Sequence, residues 1–145
     1  MELVHTAIAH LEKELGHFAE AVSHEGAALR YTYSVLSPND CAISHFNLAN
    51  YLMKVQPDPR FALAHRLAST LIFYQMNAGH LLNNLCALRT HLDQVGPSHL
   101  PVDFDNLCNT VEQTEGVRFR ELFARLPQRA SSGEEALRAV LELAH

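Results

Sequence analysis

The sequence predicts an all-α domain. Apolar residues recur at the helical period along the whole chain, with no strand-like alternation. Proline, glycine and capping residues cut that pattern into seven or eight segments, joined mostly by short breaks. Leu11, Leu48 and Leu85 also stand 37 residues apart, a spacing in the range of helix-pair repeats. The 145 residues suit a single domain, and an apolar content of 48% spread over the length argues against disorder.

Each segment follows from local chemistry. Val4, Ala7, Ile8, Leu11 and Leu15 form one helical face, and Gly16 ends it as a C-terminal glycine does. A second helix from about His17 to about Leu36 carries Phe18, Ala21, Val22, Ala28 and Leu29. In Ser37-Pro38-Asn39-Asp40, serine suits the N-cap, proline the first turn, and aspartate the positive end of the helix dipole. The helix it opens holds Ile43, Leu48 and Leu52. Asp58-Pro59 repeats the signal ahead of Phe61, Ala64, Leu67, Ala68, Leu71 and Ile72. Asn77-Ala78-Gly79 precedes a fifth helix through Leu81, Leu82, Leu85, Leu88 and Leu92. After the long break from Gly96 to Pro101, Asp103 caps a helix with Leu107, Cys108 and Val111, and Gly116 interrupts it. Val117 to Leu126 reads as a short further helix. Ser132-Gly133-Glu134-Glu135 reads as a capping box for a last helix with Leu137, Val140, Leu141 and Ala144.

Charge and cysteines narrow the function classes. The net charge is −5, from 11 basic and 16 acidic residues, and no basic stripe offers phosphates a partner. Nucleic acid and anionic membrane surfaces are therefore not expected partners. Cys41, Cys86 and Cys108 are odd in number and without a CxxC pair, which reads as buried, reduced thiols in a cytoplasmic protein. The acidic N-terminus does not read as a signal peptide, and no apolar run is long enough to span a bilayer.

The segments around the three spaced leucines are His10-Leu11-Glu12-Lys13-Glu14-Leu15, Asn47-Leu48-Ala49-Asn50-Tyr51-Leu52 and Asn84-Leu85-Cys86-Ala87-Leu88-Arg89. Leu15-Gly16-His17-Phe18-Ala19-Glu20-Ala21 with Ala28-Leu29, and Asn47-Leu48-Ala49 with Leu52, resemble the tetratricopeptide repeat family, whose unit is two antiparallel helices in about 34 residues. Asn47 to Ile72 is similar to the closing repeats of large bacterial tetratricopeptide proteins. Val55-Gln56-Pro57-Asp58-Pro59 departs from the pattern where the inter-helix glycine belongs. The resemblance implies one domain over 1–145, a right-handed superhelix of about three hairpins (1–36, 37–77 and 78–115), with capping helices over 117–145. It also implies a concave groove lined by first helices. Ile43, Phe46, Asn47, Asn50, Met53 and Lys54 would face it in the second copy, and His80, Asn83, Asn84, Ala87 and His91 in the third. The competing reading makes the asparagines helix caps or solvated groups, and Met53, Met76, Phe18, Phe61 and Phe73 core. Lys54 is the one basic residue in the set, so a clamp for an acidic chain terminus is not expected.

The implied function is a non-catalytic adaptor that binds a protein or peptide and needs no cofactor, with self-association through the C-terminal helix an open alternative. Two other classes stand beside it. Ten histidines, with His10, His17 and His24 seven apart and Glu2 and Glu14 three residues ahead of His5 and His17, raise a metal-binding or pH-responsive bundle. The two Glu-x-x-His pairs lie about 18 Å apart along the helical rise, too far for one centre, so the histidines are expected at solvated or helix-end positions and metal ligands are not assigned. A small enzyme is the third, but no nucleophile elbow, phosphate loop or dinucleotide fingerprint occurs, and Glu112 with Glu115 reads as a solvated face.

Overall fold

The computed structural model describes residues 2–14 and 16–145, with the side chains of residues 2, 3 and 12–14 outside that set. Leu15, expected on the first helical face, lies outside the described residues, as do the side chains of Glu2 and Glu14 from the Glu-x-x-His pairs. The described residues form eight α-helices and one 3-10 turn, and no strand occurs among them.

Helices α1 (Glu2–Glu14) and α2 (Phe18–Ser34) are parted at Gly16, whose φ of +76° suits glycine. At the end of α2, the Ser37 N–H bonds Thr32 O at 3.1 Å and the Leu36 N–H bonds Tyr33 O at 3.2 Å. This closes the helix in a Schellman-type turn, with Leu36 rather than a glycine at φ +51°. Pro38 opens α3 (Pro38–Val55); the Ser37 hydroxyl donates to Asp40 at 2.7 Å instead of accepting from the backbone. Asp58 caps α4 (Pro59–Met76) by accepting from the Arg60 N–H at 3.0 Å. α5 (Leu81–Val95) runs into the 3-10 turn Pro97–His99, and Asp103 caps α6 (Phe104–Glu115) through the Asn106 N–H at 2.7 Å. α7 is Phe119–Ala124. The Ser132 hydroxyl caps α8 (Gly133–Ala144) through the Glu135 N–H at 3.1 Å. Glu135 returns its carboxylate to the Ser131 N–H rather than that of Ser132, while Glu134 accepts from the Phe104 N–H and ties α8 to the start of α6.

Sequential helices pack on one another from α1 to α4, and from there the arrangement changes. Every residue from Ala62 to Phe73 is buried, because α4 is flanked by α3, α5, α6 and α8. A helix buried on all sides is a core helix, not one layer of an open stack. In the third expected hairpin, α5 and α6 each pack chiefly on α4, and α8 lies against α4, α5 and α6 rather than over one end.

The three spaced leucines accordingly differ in environment: Leu11 is 60% exposed, Leu48 is fully buried, and Leu85 is half-buried. The apolar face expected on α1 is turned outward at Val4 and Leu11, and Ala9 is the buried position. A second small core, Ala9, Ala21 and Tyr51 with Phe18 and Val22 against it, joins α1 and α2 to α3. Cys41 and Cys108 are buried as expected, while Cys86 is exposed.

Candidate functional site

Of the residues expected to line a groove, Phe46, Asn50, Met53 and His91 gather around one side chain outside that set, Arg66 of α4. Phe46, Asn50 and Met53 follow one another at helical spacing on α3, so they present one face to the neighbouring helix. The Arg66 guanidinium lies 4.6 Å from the centre of the Phe46 ring. Its Nη2 donates to Asn50 Oδ1 at 2.7 Å and stands 3.5 Å from Met53 Sδ.

The arrangement leaves the arginine unsatisfied. Arg66 is only 3% exposed, yet its Nε and Nη1 are buried without a hydrogen-bond partner. Among the described residues no carboxylate stands within ion-pair distance of it, and burial alone pulls its pKa down to about 10. It therefore stays charged near neutral pH. His91 on α5 is 1% exposed, and neither of its ring nitrogens has a partner. Burial first, and Arg66 second, pull its pKa to about 4, so the ring is neutral and offers one donor and one acceptor. Met53 and His91 also line a hollow of about 310 Å³, closed by Pro57, Pro59, Gln94 and His99. A buried cation with free donors, a neutral imidazole with free nitrogens and an adjoining hollow can together receive an anionic group.

The other expected groove residues do not join this cluster. Asn84 is buried and donates to Ser69 Oγ at 2.7 Å, while the Ser69 hydroxyl donates to Ala42 O at 2.7 Å; this ties α5, α4 and α3 together. His80 packs on the Phe73 ring with centroids 5.4 Å apart. Lys54 and Asn83 are exposed, and Asn47 and Ala87 are half-buried away from the guanidinium's contacts. Arg66 carries no clear signal in the sequence, since it stands with His65, Ser69 and Thr70 among the polar residues of the segment from Phe61 to Ile72.

Three histidines, His45, His65 and His91, are buried rather than solvated as expected, while His10, His17, His80 and His145 are exposed. His5 and His24 stack across α1 and α2, and His10 meets the Tyr51 hydroxyl at 3.1 Å. Among the described residues no group of three or more histidine, cysteine or acidic side chains is placed to hold a metal. Burial pushes the Cys41 thiol up to about 11 and the Cys108 thiol to about 12, so neither is a nucleophile near neutral pH. Among the described residues no helix is long and apolar enough to cross a membrane. Compared with protein-family models, curated proteins and solved structures, the chain matches none.

Proposed function

We propose that this chain is a non-catalytic protein-interaction module that takes an acidic side chain or carboxyl terminus of a partner protein or peptide against Arg66 and His91. In this reading α1 to α4 act as two tetratricopeptide-like helix pairs, and the partner lies along the surface shared by α3 and α5. The observation that carries it is the buried Arg66 guanidinium, whose Nε and Nη1 donors lack partners. Leaving a buried charge unpaired is costly, and a carboxylate would supply both the missing negative charge and an acceptor for a free donor. Met53 and His91 line the hollow and also neighbour the arginine, and the hollow's prolines and Val95 supply apolar contact for neighbouring residues of the partner.

Fluorescence anisotropy with peptide pools tests this. Acidic peptides with a free carboxyl terminus are expected to bind in a salt-sensitive way. Arg66→Met is expected to weaken them by roughly tenfold or more, the worth of a charge-assisted hydrogen bond. Neutral, amidated peptides binding as tightly, or Arg66→Met leaving affinity unchanged, would overturn the reading.

A further inference from the structure

A second cluster shares no contact with Arg66. The Tyr33 hydroxyl lies 2.7 Å from His45 Nε2, and His45 Nδ1 lies 2.9 Å from His65 Nδ1. The two imidazoles are stacked with centroids 5.1 Å apart, and Phe119 meets the His45 ring edge-on. His65 Nε2, which has no hydrogen-bond partner, stands 3.8 Å from Glu115 Oε1, and Glu115 Oε2 stands 3.7 Å from Arg30 Nη1. Tyrosine and arginine come from α2, the histidines from α3 and α4, and the glutamate from the end of α6. Gly26 makes room for it, since a Cβ there would come within 3.1 Å of Glu115 Oε2.

The chain of groups is neutral inside and charged at its outer end. Both histidines are fully buried, and burial holds each imidazole well below its usual range, with mutual repulsion adding to it at His45. Only one proton fits between the two Nδ1 atoms, so one ring donates and the other accepts. Cys41, Cys108 and Glu112 face Tyr33, and with burial they keep its hydroxyl protonated. Glu115 is faced by His65 and Arg30; burial raises its pKa, and Arg30 opposes that rise. Arg30 is half exposed and is the one permanent cation within ion-pair distance of Glu115 among the described residues.

A hollow of about 400 Å³ opens at this outer end, lined by Arg30, Tyr33, Leu36, Val117, Arg118 and Leu122. Two arginines and the apolar side chains of Leu36, Val117 and Leu122 share this lining, and Glu121, also in it, stands 3.6 Å from Arg118. Each guanidinium already has a glutamate, Glu115 for Arg30 and Glu121 for Arg118, so one incoming negative charge finds a cation by displacing a glutamate, and Leu36, Val117 and Leu122 suit a hydrocarbon body. We propose that this hollow binds a small organic monocarboxylate, and that its occupation draws a proton onto Glu115. The bound carboxylate competes with Glu115 for Arg30. A half-buried glutamate deprived of its cation is stabilised by protonation, and its carboxyl then faces the free Nε2 of His65.

Titration calorimetry with hexanoate, near neutral pH and in two buffers of different ionisation enthalpy, tests both parts. Saturable binding is expected, with an apparent enthalpy that changes between buffers in the sense of proton uptake. Arg30→Gln, at an exposed position, is expected to weaken hexanoate roughly tenfold or more. Glu115→Gln, checked for helicity by circular dichroism, should still bind but with no buffer dependence. The site is overturned if hexanoate does not saturate, if hexanol or inorganic phosphate binds as well, or if Arg30→Gln is indifferent. The proton linkage is overturned if the unaltered protein shows no buffer dependence or Glu115→Gln keeps it. Should Glu115→Gln fail to fold, the buffer comparison on the unaltered protein and on Arg30→Gln decides alone.

Discussion

Removing a guanidinium from water costs several kcal/mol unless charge and hydrogen bonds replace the lost hydration. Arg66 recovers a hydrogen bond from Asn50, a weak one from Met53 Sδ and the face of Phe46, while Nε and Nη1 stay unmatched. Arg120 shows the contrast: it bonds Glu112 and Asn109 and lies 3.8 Å from Asp105, so its charge is compensated. Arg66→Met keeps the length of the side chain and removes the unpaired charge. It is expected to raise the free energy of unfolding by about 1–3 kcal/mol, read from urea denaturation. A loss of stability would show that Arg66 is satisfied within the free chain. Higher stability together with weaker peptide binding is the pattern of a residue retained for function. That Phe46, Asn50 and Met53 share one face of α3 was legible in the sequence, because helical spacing fixes which side chains lie together. Arg66 was not, because its partners come from another helix and its burial depends on what covers α4.

At the scale of elements, most caps were legible in the local sequence, although the Ser37 hydroxyl turns to Asp40 instead of capping α3. Asp58, Asp103 and Ser132 cap the helices they precede, and Gly96 and Gly116 end theirs at positive φ. What one turn cannot reveal is a requirement imposed by a distant residue. Gly133, in the first turn of α8, looks like an ordinary member of a capping segment. A Cβ there would overlap the Phe104 ring, which is held against Phe119 and Phe123 with centroids 6.2 and 5.0 Å away. Alanine favours a helix over glycine by about 1 kcal/mol, so propensity alone predicts that Gly133→Ala stabilises. The overlap with that ring reverses the sign, and a net loss of about 1–3 kcal/mol is expected, measured by chemical denaturation. A gain would mean that the α6–α8 contact opens easily. Gly16 has no such neighbour, and a side chain there meets only the cost of its left-handed backbone.

For the whole molecule, the decisive feature is the position of α4. Apolar periodicity reports which face of a helix is covered, not how many neighbours cover it. His65, Arg66, Ser69 and Thr70 interrupt the apolar pattern of α4, yet all four are buried. The Ser69 and Thr70 hydroxyls bond backbone carbonyls, and His65 bonds His45. That interior makes stability depend on pH. Burial depresses His65 to about 3, His91 to about 4, and His45 well below the usual range, against about 6.5 in the unfolded chain. Above pH 6.5 these rings are neutral in both states and contribute nothing. As pH falls below that value the unfolded chain takes up protons that the folded chain refuses. Each ring then removes about 1.4 kcal/mol per pH unit until its folded pKa is reached. Glu115 acts in the opposite sense: its raised pKa lets the folded state hold a proton that the unfolded state has released, which offsets part of the loss. Urea unfolding at pH 7 and pH 5.5 is expected to show a net loss of about 3 kcal/mol, a large share of the stability of a domain this size. In His91→Leu the loss between the two pH values should shrink by about 1 kcal/mol. Equal stability at the two pH values would mean that the buried imidazoles take up protons within the fold, with solvent or a counter-charge reaching them there.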